Sequence, residues 1–184
     1  MDAAHQQLVE YTALRTTIAQ RGTARMVLVP VTFIAWAATS IATAAVITVA
    51  MSTLVPLLVL AAGFEAVFAL HVNVERIGRY LQVFHEPSGG WEHVAMEFGR
   101  RFKAGGPDPL FSRLFAIGVS INYLPVFLTG EITEMVVLAV LHLIVIYRIR
   151  QARIFAAAQR EADLQRFRDL ATAPPAADSS PTPS

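Results

Sequence analysis

The sequence contains no cysteine. Disulfides, a thiol nucleophile and a cysteine-held metal are therefore excluded. Lysine is almost absent: Lys103 stands alone against fourteen arginines. Charge of either sign is scarce, at 16% of the 184 residues, where a soluble domain carries about 25%. The net charge is only +1, so the overall balance makes no case for nucleic acid as a partner. No glycine-rich phosphate loop, nucleophile elbow or Ser-His-Asp motif is present, and "PSGGWEHVAMEF" (residues 87–98) has glycines without the Lys and Ser/Thr of a P-loop. No internal repeat is visible.

What fills the space is apolar. Hydrophobic residues make up 54% of the chain, with a mean hydropathy of +0.48. Residues 26–50 carry no formal charge over 25 positions. A hydrocarbon core about 30 Å thick needs about 20 helical residues, so this run spans with some tilt. Pro30 falls near its start, where a missing N–H costs least. The run continues past the "ATA" of residues 42–44, so it reads as a retained span rather than a cleaved leader. Further apolar runs cover 54–72, 110–128 and 135–147. The expected fold is an all-α integral membrane protein with four transmembrane helices in two antiparallel hairpins and amphipathic cytoplasmic extensions.

The expected organisation is an amphipathic arm (1–25), a first transmembrane hairpin (26–72), a helical stem and loop (73–109), a second hairpin (110–147), a basic helix (148–170) and a disordered tail (171–184). In the arm, Leu8, Tyr11, Leu14 and Ile18 recur at helical spacing. Ser52 or Thr53 is placed to cap the second span, with Pro56 in its first turn. In the stem, Leu70, Val74, Ile77, Leu81 and Phe84 form one stripe, and Glu75, Arg79, Gln82 and Glu86 the opposite side. Pro87, Gly89 and Gly90 stop that helix. Trp91, Val94, Phe98 and Phe102, with Arg100, Arg101 and Lys103, describe a short aromatic and basic helix suited to headgroups. Gly105, Gly106, Pro107 and Pro109 end it.

Orientation follows from the cations. The N-terminal arm holds three Lys and Arg, the middle segment with its flanks six, and the C-terminal arm six, while the two short turns hold none. The positive-inside rule places both termini and the middle segment in the cytoplasm. The arginine- and alanine-rich composition points to a bacterial genome, and so to an inner membrane.

Few groups carry chemistry. Glu65 lies inside the second span, and a carboxylate at depth costs about 2.5–3.5 kcal/mol unless protonated, paired or wetted. It is either a relay or ion-binding carboxyl, a hydrogen-bonded packing residue, or nearer water than the run suggests. Arg76 is too far along the same helix to pair with it. Thr39, Ser40, Thr43, Ser120, Asn122 and Tyr123 are its polar candidates. His71 and Glu75 sit at i and i+4, as do His93 and Glu97; with His85 these types suit a divalent metal, or read as solvated pairs. Glu75, Arg76 and Arg79 are an interfacial anchor or a docking surface. His142, alone in the fourth span, suits haem with His71 facing it, or proton relay. "SINYLP" (120–125) reads as helix–helix hydrogen bonding plus a kink. The functional expectation is a non-enzymatic accessory subunit, scaffold or homo-oligomer, with a membrane-protein partner or self-association. A small transporter or channel using Glu65 is the alternative, and a haem or metal redox protein the third reading.

Overall fold

The computed structural model describes residues 2–46, 49–86, 88–102 and 108–173. Lys103, Gly105, Gly106, Pro107, the stop at Pro87 and the tail from 174 lie outside these. The described residues are 90% helical, without a strand. The helices are α1 (Ala3–Val46), α2 (Leu54–Phe84), α3 (Trp91–Arg101), α4 (Ser112–Asn122), α5 (Leu124–Thr129) and α6 (Ile132–Thr172), with a 3-10 turn at Ala50–Thr53 before α2. Three helical segments, Ala3–Val46, Ala50–Phe84 and Ile132–Thr172, are long and apolar enough to cross a membrane; α4 and α5 make a shorter apolar segment, Ser112–Leu128.

The expected segments join into long continuous helices. The arm and first span are one uninterrupted helix of 44 residues, and α6 runs for 41. At about 1.5 Å per residue each exceeds 60 Å, twice a hydrocarbon core. The 25/26 boundary marks a change of side-chain polarity, to which the backbone ladder is indifferent. Pro30 consequently sits deep inside α1 rather than near its start. Neither Ser52 nor Thr53 caps α2 by its side chain; Thr53 Oγ donates back to the Ala50 carbonyl at 2.9 Å.

Side-chain pairs give the relative directions. Arg25 meets His71, and Thr32 lies against Gly63, so α1 and α2 run antiparallel. Phe68 meets Phe155 and Arg76 meets Asp163, so α2 and α6 run parallel. Phe33 and Trp36 of α1 reach Phe115 and Asn122 of α4. The core between them holds Leu57, Leu60, Phe64, Val67, Phe115, Val119, Ile149 and Ala152. Phe64 and Phe115 meet edge to face at 5.4 Å, the arrangement that aromatic quadrupoles favour.

Asp108 ties down the start of α4. Its carboxylate accepts from Ser112 Oγ at 2.5 Å and from the Arg113 and Leu110 amides at 3.1 and 3.2 Å. Burial works against its charge, but these bonds and the field of Arg153 outweigh burial and hold the carboxyl below its usual range. At the far end of α4, Pro125 stands in the first turn of α5 and the ladder breaks at Tyr123. Proline has no N–H to give the preceding turn, so the apolar segment is two pieces.

The closest approach in the bundle depends on Gly63. A Cβ there would meet Thr32 Cγ2 at 2.1 Å and Thr32 Cβ at 2.8 Å. Thr32 is itself buried, so it cannot swing aside. Gly63→Ala is expected to force α1 and α2 apart at a cost of about 1–3 kcal/mol, read as lowered resistance to denaturation in detergent micelles. Gly22→Ala, where nothing lies within 4 Å, serves as the control; equal effects would contradict the packing described.

Candidate functional site

Two polar clusters occupy opposite ends of the bundle. The larger lies where α1, α2, α3 and α6 come together. Its centre is Arg79, whose side chain is only 7% exposed. Arg79 donates to Gln82 Oε1 at 2.9 Å and lies 3.5 Å from Glu92 and 3.8 Å from Glu75. Arg15 of α1 pairs with Glu86 and, at 2.8 Å, with Glu92. Arg160 of α6 pairs with Glu75 at 2.8 Å, and Arg76 with Asp163 at 3.1 Å. In this cluster four guanidinium groups thus face four carboxylates, contributed by α1, α2, α3, α6 and the turn after α2. Buried charges persist only in such company.

Gly78 makes the room. A Cβ there would meet Glu92 Oε2 at 2.9 Å. His93 completes the packing of α3, its ring nitrogens 3.3 Å from Gln82 Nε2 and 3.1 Å from the Gln82 carbonyl. The polar side of the stem, with Arg79 and Gln82, is therefore buried alongside Leu81, while Phe84 of the apolar stripe is exposed. The stem is thus covered on both faces, where an amphipathic helix usually buries only its apolar one. Periodicity shows that a helix has two faces, but the partners on α1, α3 and α6 decide how far each is covered.

The second cluster centres on Asn122, at the α4–α5 break. Asn122 Oδ1 accepts from Trp36 Nε1 at 3.0 Å. Its amide donates to the Thr53 carbonyl and to His142 Nε2, both at 3.0 Å. His142 Nδ1 lies 2.7 Å from the Leu138 carbonyl, which fixes the tautomer with the proton on Nδ1. Tyr123 adds a bond to the Met135 carbonyl at 2.9 Å. Beside this knot a cavity of about 340 Å³ opens laterally, lined mostly by apolar atoms from Trp36, Ile41, Ala44, Pro56, Ile121 and Pro125.

The remaining candidates fall as follows. Glu65 is bonded by none of its polar candidates. Thr39, Ser40, Thr43 and Ser120 bond carbonyls of their own helices. Its partner is Arg148 of α6, joined through two bonds of 2.8 Å. Position concealed Arg148, because it stands just past the apolar run, and a long guanidinium arm reaches back along the helix. His71 Nδ1 accepts from Arg25 at 3.0 Å. His71 and His142 do not face each other: Thr53 and His71 are 18 residues apart on α2, about 27 Å, and His142 belongs to the Thr53 end. His85 lies 3.7 Å from Glu10. Glu97, held below its usual range by Arg101, pairs with Arg100 and Arg101. Among the described residues no three His, Asp or Glu side chains are grouped to hold a metal ion.

Replacing Asn122 by leucine strands the Trp36 N–H, the Thr53 carbonyl and His142 together. Asn122→Leu is expected to cost about 1–3 kcal/mol, measured as resistance to denaturation in micelles. Ser120→Ala, two residues away and bonded within its own helix, is expected to stay within about 0.5 kcal/mol. Similar losses for both would show that the knot carries no inter-helix load. No family model, curated protein or solved structure matches the chain.

Proposed function

We propose that the chain crosses a bacterial inner membrane four times, with both termini and the 73–109 segment in the cytoplasm, and acts without catalysis as an accessory subunit, scaffold or homo-oligomer. The observation that carries this reading is the use of its polar groups. The charged and imidazole candidates are paired, in most cases with a different helix: His71, Glu75 and Arg79 share with Arg160 and Asp163 only a crevice of about 10 Å³, too small for a substrate, and Glu86 and His93, which border a shallow groove of about 270 Å³, are already engaged by Arg15 and Gln82. Such groups hold helices in place rather than turn over a substrate.

The surface supports the membrane. Ile34, Ile41, Leu58, Ile117 and Leu143, from four helices, are each more than half exposed, as side chains facing lipid are. The charged cluster lies beyond that belt, on the side that the arginine count assigns to the cytoplasm. The α4–α5 segment is the shortest crossing; its 17 residues reach about 26 Å, a mismatch that modest bilayer thinning accommodates. On α3, Trp91, Val94, Phe98 and Phe102 are exposed while Glu92 turns inward to Arg79, leaving an aromatic face for headgroups or a partner. Conduction through Glu65 is less well supported, because its carboxylate lies on the outer face of α2. A haem or metal redox role is less well supported, because His71, Glu75 and His142 serve separate partners.

Two measurements test the reading. Single cysteines at Ser52 and Thr133 are expected to react with an impermeant thiol reagent from outside intact cells, and one at Gly89 only after the membrane is opened. The native protein is expected to leave a mild detergent as a stoichiometric complex, with itself or with another membrane protein. Labelling at Gly89 alone would overturn the orientation; a lone monomer would overturn the assembly role.

A further inference from the structure

Glu65 and Arg148 form a two-bond carboxylate–guanidinium pair in an unusual place. Both side chains are 44% exposed on the outer surface of the bundle. Glu65 lies about 18 Å along α2 from Thr53 and about 9 Å short of His71, inside the stretch read above as a span. Their mutual bonds, at 2.8 Å, use only part of their capacity: a carboxylate offers about four lone-pair sites and a guanidinium five N–H donors. Acyl chains satisfy none of the remainder, and charged groups in a span are expected to face protein or a wet cavity.

We propose that a second copy of this chain covers this pair, forming a two-fold dimer across the exposed faces of α2 and α6. The inference rests on the membrane-spanning reading above and names the partner. The patch is self-complementary. A carboxylate and a guanidinium stand side by side on parallel helices, so a two-fold axis along the bilayer normal, passing between them, sets Glu65 of each copy opposite Arg148 of the other. Identical surfaces meet in this isologous way in most homodimers. The result is a closed ring of two anions and two cations in place of two half-satisfied pairs.

The flanks fit the same operation. On the side of Glu65 away from α6, Ala62, Ala66 and Ala69 are exposed, a small-residue strip over which another helix comes close. On α6 the exposed neighbours of Arg148 on the side away from Phe68 are bulky, among them Ile144 and Tyr147. The axis sets the alanines of one copy against the bulky residues of the other. Phe68, beneath Arg148 at 5.0 Å and edge-on to Phe155, floors a shallow groove of about 440 Å³ between the helices.

The absence of native cysteine makes the test direct. In native membranes, Phe155→Cys and Gln151→Cys are each expected to give a disulfide-linked dimer on mild oxidation, and Ile34→Cys on α1 is not. In the Phe155→Cys background, Glu65→Arg alone and Arg148→Glu alone are expected to lose the dimer, since each patch then carries one sign. The two charge variants co-expressed with different tags are expected to recover it as a mixed dimer, which an ion pair confined to one chain would not produce. No dimer at either position, a dimer equally strong at Ile34→Cys, or no mixed dimer from two inserted variants would overturn the proposal. Should the charge variants fail to insert, the two cysteine variants with native charges decide the question. If Ser52 and Thr133 label as expected while these crosslinks fail, the dimer falls and the membrane topology stands.

Discussion

A charged guanidinium with 7% of its side chain exposed is the most demanding element of this structure. Arg79 cannot be left without counter-charges at such depth, because the loss of water costs several kcal/mol per ion. Glu75 is on its own helix, but Glu92 comes from α3, and Arg15 and Arg160 bring α1 and α6 in to share those carboxylates. The long helices are thereby fixed in register about 12 Å along α2 beyond His71. Arg79 Nε remains without a hydrogen-bond partner, so the cluster is short of acceptors and intolerant of displacement. A buried network of this type adds less to net stability than a hydrophobic one of equal volume, and more to the choice of arrangement.

The rest of the bundle reads outward from that register. Between the clusters, α1 and α2 approach closely because Gly63 admits Thr32, and Gly118 gives Phe33 a place beside Leu60. At the other end Asn122 ties Trp36, the Thr53 carbonyl and His142 across the interruption in α4–α5. One end is held by charge and the other by neutral hydrogen bonds. That division matches the proposed setting, where the first end lies among cytoplasmic water and headgroups and the second just inside the outer turns. Glu65–Arg148 is the exception, a charged pair on the apolar belt, and an exposed exception of that kind points to a contact outside the single chain.

Much of the helix content was legible in the sequence, because apolar runs of 20 residues have few alternative folds. The break near Pro125 was legible for the same local reason: a missing N–H interrupts any ladder. The continuity of α1 through residue 25 was not, since charge patterning marks where water ends and not where a helix ends. Pairings were the least legible. Arg148 lies 83 residues from Glu65, and Arg160 85 from Glu75; spacing rules reach only three or four residues along one helix. The stem's periodicity correctly divides it into two faces, yet Arg79 and Gln82 are covered because Gly78 leaves space for Glu92, a fact that resides in α3.

The account's central claim is that Arg79 and Glu92 act as one unit that sets the arrangement. A double-mutant cycle on Arg79→Leu and Glu92→Leu, followed by unfolding in mixed micelles, tests it most directly. Each single change is predicted to cost about 3–5 kcal/mol by stranding a buried charge, and the double change less than the two together by more than about 1 kcal/mol. Losses that simply add would contradict the account.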